Sequence, residues 1–150
     1  MSKWNHRTRF AAASALCAFG MAIPVIAMAD EDGKEPECSL RALRGPYLFA
    51  ATGFTMPAGV ALPKAIVERI DFNGDGTLHV PAATRSINGA VARSDPGDGT
   101  YGVNSDCTGT LTFLPSGPHF DIFVSPNGKE MTMIQTDPNN VFQGKVSKMQ

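Results

Sequence analysis

Apolar residues fall on every second position through most of this chain. Tyr47, Phe49 and Ala51 share one phase of a first run, Ile66, Ile70 and Phe72 of a second, and Leu78 with Val80 of a third. A period of two is that of a strand with one face buried, and it predicts a series of half-buried strands. Tyr101 with Val103 continues the series, and Cys107, Leu111 and Phe113 follow in one phase with Gly109 between them. Phe120, Ile122 and Val124 alternate up to Pro126-Asn127-Gly128, a turn that predicts a hairpin into residues 130–136. A last run offers Phe142 and Val146 on one face.

Turn signals cut the runs to strand length. Asn73-Gly74, Asp75-Gly76, Asn88-Gly89, the cluster at 95–99 and Asp137-Pro138-Asn139-Asn140 each interrupt the alternation. The one helical candidate is a single turn at 39–44, stopped by Gly45-Pro46. The pattern therefore predicts an all-β domain of eight or nine antiparallel strands. Short consecutive hairpins with no long crossover favour an up-and-down closed barrel over a β-sandwich, because closure removes exposed edges. A barrel of this size is either filled by side chains or hollow enough for one small ligand.

The first 29 residues change the picture of where this domain works. Lys3, Arg7 and Arg9 precede a charge-free apolar run, and Ala27-Met28-Ala29 is a small-x-small cleavage site followed by acidic residues. This is the layout of a cleaved export signal. Gly20, Pro24 and the lack of a basic stop-transfer flank argue against a membrane anchor, and Leu16 before Cys17 argues against lipidation. Cleavage would leave 121 of the 150 residues, enough for one domain at 38–150 behind a disordered acidic leader at 30–37. Losing the three basic residues leaves ten Lys and Arg against 14 Asp and Glu, a net charge of −4. That balance argues against nucleic acid and anionic membrane surfaces as partners.

Cys17 would leave with the signal, so Cys38 and Cys107 remain as a pair. In an exported domain two remaining thiols are most simply a structural disulfide.

The string Gly99-Thr100-Tyr101-Gly102-Val103-Asn104-Ser105-Asp106-Cys107-Thr108-Gly109-Thr110-Leu111 resembles the core signature of a group of small secreted bacterial proteins of unknown function. Gly45-Pro46-Tyr47-Leu48-Phe49, Phe72 with Gly74 and Gly76, Asn88-Gly89, Asn127-Gly128-Lys129-Glu130 and Gln135-Thr136-Asp137 fit the same group. The likeness covers nearly the whole mature chain and implies export and fold, without an activity. The helical turn leading into Gly45-Pro46-Tyr47 is also similar, more distantly, to lipocalins and other calycin barrels, with Tyr47 where those proteins carry tryptophan. That similarity implies shared geometry, not a shared ligand.

Candidate chemistry is sparse. Asp71-Phe72-Asn73-Gly74-Asp75-Gly76 matches the opening of a calcium loop, but Ala82 stands where the closing glutamate belongs, and the flanks alternate like strands. The motif reads as a turn. His79 and His119 are isolated, so no metal site is expected, and no cofactor motif or nucleophile elbow is present. Asp106 is expected to bond backbone amides in its own turn. Glu68 is the weak catalytic candidate. It falls in phase with Ile66 and Ile70, and a carboxyl turned inward would have the raised pKa of a general acid or base.

The leading functional expectation is an exported, non-enzymatic barrel in the periplasm or outside the cell. It would bind a small apolar molecule against Tyr47, Phe49, Tyr101, Leu111, Phe113 and Met131 or Met133. The alternatives are a cofactor-free barrel enzyme of the cyclase or isomerase type, and a solid barrel acting through its surface on other proteins.

Overall fold

A computed structural model describes residues 38–150; the segments read above as an export signal (1–29) and an acidic leader (30–37) lie outside the described residues. A 3-10 turn at Leu40–Ala42 leads into β1 (Arg44–Thr55), followed by β2 (Leu62–Asn73), β3 (Thr77–Ile87), β4 (Ala90–Ser94) and β5 (Gly97–Val103). Then come β6 (Thr108–Phe113), β7 (His119–Val124), β8 (Glu130–Gln135) and β9 (Asn140–Lys148). The strands run in the order β2-β1-β9-β8-β7-β6-β5-β3, and pairing of β2 with β3 closes the ring. All pairs are antiparallel and the ring is closed, so this is the barrel rather than the sandwich.

The expected phases hold. Tyr47, Phe49, Ala51, Ile70, Phe72, Leu78, Val80, Tyr101, Leu111, Phe120, Ile122, Val124, Phe142 and Val146 are all buried in one core. Gly45 and Pro46 do not act as the helix stop that the sequence suggested, because they lie inside β1; Leu43, fully buried, ends the turn.

β4 had no apolar alternation to reveal it, and the register explains what it is. Val80 pairs with Gly97 of β5, and three residues further along each strand Ala83 pairs with Ser94 of β4. The frame is unbroken, so β4 and β5 follow one line along β3, interrupted where Pro81 faces Pro96. Proline has no N–H to give a ladder, and two of them opposite one another silence both donors.

A bulge in the β2–β3 pair matters more for function. Arg69 pairs with Ala82 but Asp71 pairs with His79, so two residues of β3 face Ile70 alone. The extra residue shifts the alternation of β3 by one. Below the bulge Leu78 and Val80 point inward; above it Ala83 does, and Arg85 shares its phase.

The lower end of the barrel is stapled shut. Cys38 and Cys107 are bonded there across 69 positions of sequence. Two turns at this end share the pattern Asn-x-Asp-x-Thr, at 73–77 and 104–108. In each, the aspartate accepts from the threonine two residues on, through both its amide and its hydroxyl, and the asparagine amide bonds that same hydroxyl. These bonds pull Asp75 and Asp106 below the usual carboxylate range. The calcium-like string is thus a turn between strands, with Asp75 engaged by Thr77 and Asp71 by Arg69 at 2.8 Å. Cys107 adopts φ +67°, in the place of Gly76 at φ +96° in the twin turn. That left-handed conformation takes it off the alternation of β6, to the rim of the barrel.

Tyr101 ties the lower end together. Its hydroxyl lies 3.0 Å from the Leu43 carbonyl and 3.1 Å from that of Leu40, and accepts from the Gly74 amide. Tyr47 donates to the Gly128 carbonyl in the β7–β8 turn. Replacing Tyr101 by Phe strands an amide and a carbonyl, so urea unfolding should show a loss of about 2 kcal/mol. A loss below a few tenths would show that the hydroxyl does not hold this end.

Candidate functional site

Two chains of edge-to-face aromatic rings divide the interior. The lower joins Tyr47, Phe72 and Tyr101 with centroids 5.2 and 4.9 Å apart. The upper joins Phe142, Phe49, Phe120 and Phe113 at 6.4, 6.1 and 5.9 Å. Of the residues expected to line a ligand cavity, Tyr47, Tyr101 and the fully packed Leu111, Met131 and Met133 belong to the core, and both tyrosine hydroxyls are spent on the lower turns. Phe49 lies deep in the upper chain. Phe113 is only partly buried and marks its open side.

Glu68 lies at this upper level. Burial leaves it 7% exposed, and its Oε1 has no hydrogen-bond partner among the described residues. Its neighbours in the ladder are Phe49 on β1 and Ala83 on β3, neither able to donate from its side chain. Arg69, one possible partner, turns outward to Asp71. Taking a carboxylate out of water without compensation favours the neutral acid. Burial accordingly pushes the Glu68 pKa up to about 7, with Lys64 pulling the other way.

Lys64 forms a roof over this end, and the backbone explains how. Gly53 separates Lys64 on β2 from Phe142 on β9. A Cβ at Gly53 would strike the Val141 carbonyl and lie 2.8 Å from the Phe142 Cα, so the strands close tightly only around glycine. The lysine reaches over that gap, placing its Nζ 4.1 Å from the centroid of the Phe142 ring and donating to the Gln135 Oε1 at 3.0 Å. The polar chain continues from Gln135 Nε2 to Asp137 at 2.8 Å, and Asp137 pairs with the His119 ring at 2.7 Å. Burial opposes ionisation of Asp137, but hydrogen bonds from His119 and Gln135 hold its carboxyl at about 2. Burial first, then the positive field of Arg85, lowers the Lys64 ammonium below its ordinary value. Among the described residues no carboxylate stands within 4.0 Å of Lys64 or Arg85.

The upper end therefore holds a buried, unsatisfied acid beneath two cations that have no carboxylate partner among the described residues. Leu62, Ile66 and Ile87, all half-buried, share the phases of Lys64 and Arg85 on the upper arms of β2 and β3. Sequence phase pointed to Glu68 and could have found Lys64 by the same step of two. Arg85 was out of reach, because only the bulge turns it inward.

A concavity of about 470 Å³ crosses the outer face over Ala50, Thr52, Ala65, Val67, Gln143 and Lys145. It contains no titratable group besides Lys145. Among the described residues no helix is long and apolar enough to cross a membrane, and no cluster of His, Cys, Asp or Glu is arranged to hold a metal ion. No family model, curated protein or solved structure matches this chain.

Proposed function

We propose that this chain is an exported, non-enzymatic β-barrel that binds a small, mostly apolar molecule at the upper end, beside Glu68 and under Lys64. The observation that carries the reading is the buried Glu68 oxygen without a partner. An unsatisfied buried polar atom costs about 1–3 kcal/mol, and a ligand donor reaching it would recover that cost only when bound. The lower end is stapled by the disulfide and pinned by both tyrosine hydroxyls, so the ligand would approach from the upper end, past Phe113, Leu62 and Ile87. Export is supported by the signal pattern and by the disulfide, and the likeness to small secreted bacterial proteins is consistent with both.

Thermal shift against fatty acids, fatty alcohols, quinones and small terpenoids tests this. A ligand at one hundred times its dissociation constant should stabilise the barrel by about 2.7 kcal/mol. Phe113→Trp should remove the shift by filling the approach, and Lys129→Ala, on the lower turn, should leave it intact. If no apolar compound shifts the melting point and Phe113→Trp is merely destabilising through overpacking, the reading fails and a surface role replaces it.

One observation favours a second reading. A carboxyl with its pKa near 7 in a water-poor site is suited to proton transfer. In that case Glu68 would serve as general acid and base for a cofactor-free isomerisation or cyclisation. Turnover of a bound compound, lost in Glu68→Gln with binding retained, would distinguish it.

A further inference from the structure

We infer that the ligand carries a carboxylate head group, held by Lys64 and Arg85 at the mouth, and that Glu68 takes up a proton as it binds. The inference rests on the ligand-binding reading and adds the chemistry of the head group.

The argument begins with charge. At the rim the positive field of Arg85 raises the cost of the Lys64 charge, which the Gln135 oxygen, the Phe142 face and the weaker fields of Asp137 and Glu68 offset only in part. Two like charges at one rim, with no carboxylate partner among the described residues, make a place where an anion is favoured. An ammonium would meet the opposite field. Below them Glu68 offers the complementary element: protonated, it donates one hydrogen bond to an oxygen; ionised, it repels an anion. One acid proton and two cations suit a monoanion with two oxygens. The half-buried Leu62, Ile66 and Ile87 supply the wall for an apolar tail.

Of the polar and charged groups at this end, Lys64 acts on Glu68 directly and the others act on Lys64 or on one another. β2 brings Lys64, β3 brings Arg85, and β8 with its following loop brings Gln135 and Asp137, the latter occupied by His119 of β7. β1 and β9 bring only Phe49 and Phe142, which do not titrate. Asp137 stays ionised across the neutral range, whereas the Glu68 carboxyl crosses its pKa within it.

Three probes with equal tails decide the matter: decanoate, decanol and decylamine, titrated calorimetrically at pH 6 and pH 8.5 in buffers of different ionisation enthalpy. Decanoate should bind best. Its affinity should fall about thirtyfold between the two pH values, as the protonated fraction of Glu68 falls, with close to one proton taken up per ligand at pH 8.5 and little at pH 6. Glu68→Gln should bind decanoate without the pH dependence or the uptake, and Arg85→Met, an exposed change that leaves the core alone, should reduce decanoate toward decanol. Equal or better binding of decanol or decylamine would overturn the head-group assignment and leave the binding reading standing. Decanoate binding that takes up no proton would remove Glu68 from it. Failure of all three probes would overturn the binding reading itself.

Discussion

Replacing Cys38 and Cys107 together by serine should lower the free energy of unfolding by about 4 kcal/mol, a large fraction of what holds a domain of this size. The bond joins residues 69 apart and so removes a long loop from the unfolded ensemble. Its native-state role is equally local. Cys38 is buried, and its amide donates to the Ser105 carbonyl, so the bridge holds the chain start and the 3-10 turn against the lower rim. Without the bond that rim should loosen first, exposing Leu43 and the Tyr101 hydroxyl. Urea unfolding of the double variant beside the oxidised parent measures the loss, and alkylation without reductant verifies the bond. Two alkylated cysteines in the folded parent, or a double variant within 1 kcal/mol of it, would show that the bridge is not what closes this end.

Glu68→Gln should erase a pH dependence of about 3 kcal/mol. In the unfolded chain Glu68 ionises near its ordinary 4.5; in the barrel its pKa is about 7. Between these values the folded state keeps a proton that the unfolded state has released. The contribution of this group is therefore fully present below about pH 4.5 and is lost as pH rises through 7, by about 1.4 kcal/mol for each unit of separation. Lys64, lowered in the fold, works in a different window: its penalty is present at neutral pH and relieved as pH rises toward its ordinary value. Asp137, held near 2, supports the fold above its ordinary 3.8 and fails only in strong acid. Unfolding free energies at pH 5 and pH 8 thus isolate Glu68. The parent should lose about 2.5 kcal/mol more than Glu68→Gln across that interval; parallel curves would mean that the carboxyl is solvated or paired in solution.

Alternation along the strands made much of this molecule readable in advance. Tyr47, Phe49, Ile70, Phe72, Phe120, Ile122 and Phe142 sit where a period of two placed them, because a sheet with one wet face penalises any other phase. The same rule turned Glu68 inward and would have turned Lys64 with it. Cysteine count and an export pattern were enough to pair Cys38 with Cys107, and the missing closing glutamate with strand-like flanks was enough to read 71–76 as a turn.

Only the closed barrel decided the rest. β4 carries no buried apolar face, so its line along β3 exists through backbone register and an opposed pair of prolines, which no periodicity reports. Arg85 reaches the mouth through one extra residue in β3, an event of pairing rather than of composition. The split of aromatic side chains into a pinned lower cluster and an upper one beside Glu68 depends on which strands meet across the ring. Burial faces are local and follow from the order of residues, but the union of Glu68, Lys64, Arg85 and Gln135 at one end of the molecule is long-range, and closure of the barrel creates it.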